Sequence, residues 1–193
     1  MLHATPEATT VARAIRQIRL EERGELDRVI VKSWGSPYVA SRLSLHRVSG
    51  LPCLLAVDGE RWLGVAAYRF AAGACKLVLL EAFERGHGTG TALLNAVAEL
   101  ARAAGARRLW LVTTYDNVDA MRFYQRRGLR LVRLWPDAAT QARKLLKPEI
   151  PLVGDHGIPI RDELEFDCPL TGPSGRPVCR DAPVEADQRG ITR

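Results

Sequence analysis

Apolar residues in the first half of the chain either alternate with polar ones or recur at helical spacing, in short segments. Alternation predicts a half-buried strand, and apolar residues three or four positions apart predict a helix. An Asp-Gly-Glu turn between two apolar runs predicts a hairpin, and Gly73 turns the chain into a third antiparallel strand. In order, the predicted elements are a strand at 13–19, a helix at 21–34 with a weak break at Gly24, a second helix at 36–47, and strands at 51–57, 61–70 and 75–83.

The periodicity changes after residue 90. Apolar residues then recur at helical spacing up to Ala104, and Gly105 stands where a left-handed helix cap belongs. Residues 109–114 are apolar on both faces at their start, as in a central parallel strand. Strand, helix and strand therefore form a right-handed crossover. The segment before the helix lies at the carboxyl end of a strand, where open α/β sheets bind ligands.

The rest of the chain predicts smaller elements followed by a polar tail. Asp116 or Asn117 can cap a short helix that ends near Gly128. The tail, residues 171–193, is rich in proline and poor in large apolar residues, which predicts disorder. Further elements are a strand at 129–135, a short helix at 137–147, a loop or wide hairpin at 148–160 and a strand at 162–168. The expected organisation is a frayed N-terminus at 1–11, one domain at 12–170 and the tail.

Glycines occupy every second position in the sequence Glu-Arg-Gly-His-Gly-Thr-Gly, residues 84–90, which we call the glycine loop. Glycine permits positive φ angles and close approach of another body to the backbone, and a helix N-terminus favours a bound anion. The loop therefore predicts a phosphate site with Arg85 as an added cation; the alternative is an ordinary tight turn. A Walker loop is excluded because no lysine follows these glycines. The dinucleotide fingerprint fails because its third glycine falls at Thr91 and residues 106–108 lack the acid.

The composition is that of a single globular domain with a mild basic bias. Of 193 residues 47% are hydrophobic, and 28 Lys and Arg against 22 Asp and Glu give +6. Aromatic residues make up only 6% and no long basic run occurs, so nucleic acid is an unlikely partner. The four cysteines lack zinc or disulfide-framework spacing, which predicts reduced thiols and no metal. We expect a cytoplasmic protein, because neither an apolar leader nor a membrane-spanning run is present.

Two motifs together resemble those of the GNAT superfamily of acetyl-CoA-dependent N-acyltransferases. The first is Arg or Gln, two residues, Gly, one residue, Gly or Ala; the second is Asn, two residues, Ala, two residues, Phe-Tyr, three residues, Gly. They lie one helix and one strand apart, as in that family. The likeness covers about residues 12–170. The matching residues are Arg85, Gly88 and Gly90 in the first motif, and Asn117, Ala120, Phe123, Tyr124 and Gly128 in the second.

The resemblance implies a single α/β (α+β) domain. Its mixed sheet would have six or seven mostly antiparallel strands, with one parallel pair splayed at the cofactor site and helices on both faces. It also implies that acetyl-CoA binds with its pyrophosphate on the glycine loop and its thioester near the end of the strand at 79–81. Asn117 is either a cofactor contact or simply a helix cap. The implied cofactor-binding residues are Leu80, Arg85, Gly86, His87, Gly88, Thr89, Gly90, Thr91 and Asn117.

The resemblance further implies direct acetyl transfer to a primary amine of a small molecule or protein. Tyr124 would be the acid near the sulfur, or alternatively a core aromatic residue. Glu81 is the candidate base, because it interrupts an apolar strand beside the glycine loop; it could equally be a surface or substrate-binding carboxylate. A different class of function is a catalytically silent module that senses acyl-CoA. Homodimer formation is left open.

Overall fold

Residues 14–170 are described by a computed structural model, and within them the chain forms nine strands and four α-helices. Two single 3₁₀ turns, Val48–Gly50 and Asp155–Gly157, join some of these elements. The strands are β1 (Ala14–Gln17), β2 (Tyr38–Ser41), β3 (Ser44–Arg47), β4 (Cys53–Asp58), β5 (Arg61–Ala71), β6 (Ala74–Ala82), β7 (Arg108–Thr114), β8 (Arg130–Trp135) and β9 (Glu163–Pro169); the helices are α1 (Arg23–Trp34), α2 (Thr89–Ala103), α3 (Val118–Gln125) and α4 (Ala138–Leu145).

Seven strands form one sheet in the order β1-β4-β5-β6-β7-β9-β8, and β2 and β3 form a separate hairpin. Every neighbouring pair in the large sheet is antiparallel except β6 and β7, which are parallel. These two strands pair at only three positions, Cys75–Leu77 with Leu109–Leu111. Beyond them residues 78–82 and 112–114 separate, and we call the gap between them the wedge. The predicted mixed sheet with one splayed parallel pair is confirmed.

Each face of the sheet has its own apolar core. On one side α2 and α3 cover the sheet, and Leu93, Val97 and Phe166 are fully buried there; this is the α2 face. On the other side α1 and the β2–β3 hairpin cover it, with Leu26 and Ile30 fully buried; this is the α1 face. The α2 core follows from the helical spacing of its apolar residues, which places one continuous stripe against the strands.

The predicted helix at 36–47 is wrong, because this segment is the β2–β3 hairpin. Its two-residue turn, Arg42 and Leu43, has positive φ at both positions, 50° and 54°. Such turns normally contain Asn or Gly, so the local sequence gives no hairpin signal. Tertiary contacts hold the turn instead: the Arg42 amide donates to a Glu163 carboxylate oxygen at 2.8 Å, and its guanidinium lies 4.2 Å from the Trp135 ring centroid.

Buried charge lies beneath this hairpin on the α1 face. Lys76 Nζ donates to Ser41 Oγ at 2.6 Å, and burial lowers the pKa of Lys76 to about 8. Glu165 is buried and lies 3.4 Å from the Arg42 guanidinium. Burial, with the charges of Lys76 and Arg69, lowers the pKa of His46 to about 4. The hairpin is therefore docked through polar contacts.

The structure confirms some of the remaining predictions and contradicts others. Helix α1 starts at Arg23 and shows no break at Gly24. The expectation of reduced thiols holds for Cys53 and Cys75, which are buried and free, but is wrong for Cys168, which is disulfide-bonded. No helix between residues 14 and 170 is long and apolar enough to cross a membrane. The frayed N-terminus and the disordered tail lie outside the described residues.

Candidate active site

The glycine loop leads from the open end of β6 into α2. Gly86 and Gly88 have φ of 84° and 78°, and a Cβ at either would meet no atom within 4 Å. Gly88 is the N-cap of α2, and no side chain caps the helix. The first amides of α2 therefore point into open space with the positive end of the helix dipole behind them. This geometry suits a phosphate group, as the sequence predicted.

The third glycine has a different purpose. A Cβ at Gly90 would lie 3.3 Å from the Phe123 ring, so its absence lets α2 begin directly against α3. Thr91, the next residue, accepts a hydrogen bond from Arg127 Nε at 2.8 Å, and the Arg127 guanidinium lies 3.7 Å from the Phe123 ring centroid. The Thr91 hydroxyl is thus engaged within the protein. Its predicted cofactor contact stays a prediction.

Arginines surround the glycine loop. Arg85 is strongly exposed and lies 3.4 Å from the Asp119 carboxylate of α3. His87 places Nδ1 2.9 Å from the Arg85 carbonyl, which folds the loop on itself. Three more arginines, absent from the sequence-based site, line the same cleft: Arg122, Arg126 and Arg127. They flank the Phe-Tyr pair and Gly128 in the second motif. The run of arginines around these motif positions is the sequence signal for this cluster.

A cleft of about 1820 Å³ runs from the glycine loop through the wedge to the α1 face. Leu80 lines it from β6, and Asn117 lines it just beyond β7. Because β6 and β7 separate here, each presents a strand edge with no partner across the gap. Asn117 Oδ1 accepts the Ala120 amide at 3.0 Å, so the capping role is present; a contact to a cofactor stays a prediction.

Tyr124 lies in this cleft on the α2 face. Its ring packs edge-to-face on Phe123, with centroids 5.3 Å apart, and against Phe166 at 6.1 Å. The residue is 9% exposed, and its hydroxyl makes no hydrogen bond to any residue from 14 to 170. Burial raises the pKa of Tyr124 well above its ordinary value. The phenol is therefore protonated at neutral pH and has a proton to donate.

Glu81 lies across the wedge from this phenol, on the α1 face. It pairs with Val65 of β5, which belongs to the α1-face core, and directly paired residues point to the same side of a sheet. Trp34 Nε1, at the end of α1, donates to Glu81 Oε2 at 2.8 Å. The carboxylate is half-buried and lines the cleft. The two predicted catalytic residues thus border one cleft from opposite faces of the sheet.

Two buried carboxylates in the cleft were not among the predicted site residues. Glu163 is 2% exposed and comes from β9, at the end that pairs with Thr114. Asp116 is 4% exposed; Oδ2 accepts the Asp155 amide at 3.3 Å, and Oδ1 has no partner among the described residues. In sequence, Glu163 is one acid among several in a strand, and Asp116 is a possible cap. Neither pattern distinguishes them.

Comparison with known proteins agrees with this geometry. Residues 13–129 match the Acetyltransferase (GNAT) family. The chain is 40% identical over 134 residues to YxbD of Bacillus subtilis (strain 168), an uncharacterised protein, covering 69% of this chain and 84% of YxbD. The chain belongs to the GNAT family. Membership of this family accounts for the presence of both motifs. Because YxbD is itself uncharacterised, it gives no activity for comparison.

Solved GNAT structures share the fold at low identity. An IAA acetyltransferase from Bacillus cereus ATCC 14579 has a TM-score of 0.62 and 18% identity, with 82% of this chain and 99% of that one covered. A Bacillus subtilis acetyltransferase in complex with CoA has a TM-score of 0.61 and 18% identity, with 83% and 100% covered. This GNAT protein therefore shares its overall fold with both structures.

Proposed function

We propose that this GNAT protein is an N-acetyltransferase that moves an acetyl group from acetyl-CoA directly to a primary amine. The observation that carries the proposal is one cleft with a phosphate-suited loop at one end, an open wedge in the middle, and Tyr124 and Glu81 on opposite faces. Family membership supports acetyl transfer, and the similar fold of an acetyltransferase in complex with CoA supports the ligand.

Acetyl-CoA fits the residues present. The amides of residues 86–91 and the nearby arginines would hold its phosphates. The unpaired edge of β6 near Leu80 would pair with the amide groups of its pantetheine arm. When bound, acetyl-CoA supplies an activated acyl group as a thioester. That placement leaves the α1 face of the wedge for the acceptor amine, which would approach past Trp34 and Glu81.

In this proposal Tyr124 assists departure of the thiolate. A buried phenol with no internal hydrogen-bond partner can donate to a sulfur in the wedge, by full proton transfer or by a hydrogen bond. Direct transfer is favoured over a covalent intermediate because neither buried free thiol, Cys53 nor Cys75, lines the cleft. Glu81, on the acceptor side, is a candidate base, and its exposure also suits a group that receives a cation.

Thiol release from acetyl-CoA in the presence of a panel of amines tests this function. The panel should contain small diamines, amino acid amides and lysine-containing peptides, with mass spectrometry of each product. We expect amine-dependent thiol release and a mass increase of one acetyl group. A reaction without amine corrects for hydrolysis. If the protein binds acetyl-CoA, measured by calorimetry, but acetylates nothing, the sensor alternative is favoured.

A further inference from the structure

Glu163 and Glu81 flank the wedge from its two sides on the same face of the sheet. Residues alternate along β9, and Leu164 and Phe166 point into the α2-face core, so Glu163 points to the α1 face. Its partner Thr114 is the last residue of β7, on the far side of the wedge from β6. Glu81 is on β6, on the same α1 face. An acceptor that enters from the α1 face therefore passes between two carboxylates.

The two carboxylates differ in their surroundings. Glu163 is buried; one oxygen accepts the Arg42 amide at 2.8 Å, and the other makes no hydrogen bond to a described residue while the side chain lines the cleft. Burial raises the pKa of Glu163, and the Arg42 amide and the charges of Lys76 and Arg42 offset this only in part. Glu81 is half-exposed and already receives Trp34 Nε1.

We propose that the acceptor amine binds as its ammonium ion between Glu81 and Glu163, and that Glu163 takes its proton. This inference rests on the proposed N-acetyltransferase function and assigns its acceptor site. Glu163 lines the cleft and keeps one oxygen without a hydrogen bond to a described residue, whereas the more exposed Glu81 is suited to attract and orient a cation. A carboxylate with an elevated pKa is also a stronger base than an ordinary one, which brings it closer to the optimum for proton transfer at neutral pH.

The proton balance assigns each group one task. A nitrogen–hydrogen bond of the ammonium breaks, and the proton goes to the free oxygen of Glu163. The nitrogen lone pair then forms a bond to the thioester carbon, and the carbon–sulfur bond breaks as the carbonyl re-forms. The nitrogen loses a second proton to solvent, the departing thiolate gains one from Tyr124, and the tyrosinate is then reprotonated from solvent. The net products are an amide, a thiol and one proton, which Glu163 returns to solvent.

A purely structural role for Glu163 is the competing explanation, since it also holds the Arg42 turn of the hairpin. The charges that act on it are those of Arg42 from the turn and Lys76 from β6, and Glu81 and Lys147 line the same cleft. Replacement by glutamine separates the two roles, because a glutamine oxygen still accepts the Arg42 amide but takes up no proton. Glu165 supplies a matched control: it is two residues along the same strand, is buried and lies 3.4 Å from Arg42, and does not line the cleft.

The experiment compares kcat and amine KM against pH for the wild type, Glu163→Gln, Glu81→Gln and Glu165→Gln. For Glu163→Gln we expect kcat to fall about 10²- to 10⁴-fold, the amine KM to change little, and the acidic limb of the kcat profile to disappear. For Glu81→Gln we expect mainly a higher amine KM, with a loss of kcat much smaller than that of Glu163→Gln. Melting temperature and acetyl-CoA affinity should stay near wild type in both variants.

The outcomes are distinguishable from failure of the proposed function. If the wild type acetylates amines and Glu163→Gln keeps both kcat and the acidic limb, the assignment of Glu163 is wrong while the function stands. If Glu165→Gln loses as much kcat as Glu163→Gln, the effect comes from the hairpin and the assignment also fails. Glu163→Asp retains a carboxylate and should recover part of the lost kcat. A wild type that acetylates no amine overturns function and inference together.

Discussion

Tyr124 shows how one position combines packing with chemistry. Its ring is held by two aromatic neighbours, Phe123 and Phe166, while its hydroxyl has no hydrogen-bond partner among residues 14–170. The side chain lines the cleft, so a ligand atom can reach this hydroxyl. A thioester sulfur in the wedge would provide such a partner.

Tyr124→Phe removes that hydroxyl and leaves the ring to pack. We expect stability and acetyl-CoA affinity to change little, and kcat to fall by about 10²- to 10⁴-fold, or roughly 3–5 kcal/mol of barrier. A loss near the lower limit would indicate a hydrogen bond to the sulfur, since a thiolate is already a fair leaving group. The measurement is kcat with an accepted amine, and an unchanged kcat with rate-limiting chemistry would remove Tyr124 as the acid.

His46 makes the stability of the folded domain depend on pH, independently of catalysis. Its pKa is lowered to about 4 by burial and by the charges of Lys76 and Arg69, against an ordinary value near 6.5. The folded state therefore favours neutral His46. Its stabilising contribution is full above about pH 6.5 and is lost as the pH falls from there towards 4.

His46→Gln tests this dependence. Between pH 7 and pH 5 the wild type should lose on the order of 1–2 kcal/mol more unfolding free energy than the variant, because only the wild type gains a proton on unfolding at this site. Denaturant titrations at both pH values give the difference. If the wild type and His46→Gln lose the same unfolding free energy between pH 7 and pH 5, His46 titrates normally in the folded state.

Residue roles were predictable only where a motif named the position. The motifs identified Tyr124 and the glycine loop, and the interruption of an apolar strand identified Glu81; the roles of these residues stay predictions. The sequence groups Glu163 with Asp162 and Glu165 as a possible negative rim for a cationic amine, or as ordinary acids on the exposed face of a strand. It does not separate Glu163 from the other two, because its importance comes from burial and from a position across the wedge that depends on β9 pairing with β7. Strand order over such a sequence distance is not encoded locally.

Among the elements, α2 and its glycine loop form the best-defined unit. The helix begins at Thr89 without a side-chain cap, and Gly88 has open space around it. The first amides of a helix normally donate to the side chain of a Ser, Thr, Asp or Asn at the N-cap. The absence of such a cap is consistent with a bound anion as the partner of these amides.

Gly88→Asp therefore separates folding from binding. An aspartate at Gly88 must adopt the left-handed φ of 78°, which costs about 1–2 kcal/mol but leaves the fold in place, while its charge and bulk should reduce acetyl-CoA affinity by several kcal/mol. Calorimetry with acetyl-CoA gives the affinity. Gly105→Asp is the control, because Gly105 has a similar φ of 74° and open space at the other end of α2. Equal affinities in wild type and Gly88→Asp would refute the phosphate site.

The loop at 148–160 lines the cleft and lies against it through one tight contact. A Cβ at Gly154 would lie 1.9 Å from Asp116 Oδ2, so only glycine lets this loop approach the buried carboxylate. Gly154→Ala should push the loop away, raise the amine KM severalfold and cost about 1–3 kcal/mol of stability, with acetyl-CoA affinity retained.

Gly24→Ala is the matched control for that substitution, because an added Cβ there meets no atom within 4 Å. It lies in α1, where alanine is the better helix former. Steady-state kinetics and thermal melts of both variants check the prediction. A Gly154→Ala protein with an unchanged amine KM would show that the loop takes no part in acceptor binding.

Elements were predicted well where apolar periodicity and turn residues agreed. This was so for the β4–β5–β6 meander, for α2 with Gly105 as its terminus, and for β9. The β2–β3 hairpin was missed because its turn, at Arg42, is held in positive φ by distant groups and contains no glycine or asparagine. Local sequence preference was overridden there by tertiary contacts.

For the whole molecule, the order of strands and helices together with two motifs was enough to predict the α/β class, the mixed sheet and the splayed parallel pair. The position along β6 and β7 at which the two strands separate was not predictable. It depends on how far β6 and β7 stay in register, and that register ends after three residue pairs. Side-chain packing on both faces decides this, rather than any pattern within one strand.

The short β6–β7 register also affects how the domain unfolds. Strands β1, β4, β5 and β6 form one half of the sheet and β7, β9 and β8 the other, joined in the sheet by three residue pairs. Few hydrogen bonds couple the halves, so each can open on its own as a separate cooperative unit. A ligand that spans the wedge would add bonds to both halves and so couple their opening.

Hydrogen exchange with and without CoA measures that coupling. Protection should increase most at residues 78–82 and 112–114, and at saturating ligand, about 100 times Kd, global stability should rise by about 2.7 kcal/mol. Protection confined to the glycine loop would show that the halves stay uncoupled. Protection that extends to both strand edges would show that the ligand acts as an interior strand of the sheet. The cooperativity of unfolding would then vary with the supply of CoA and its thioesters.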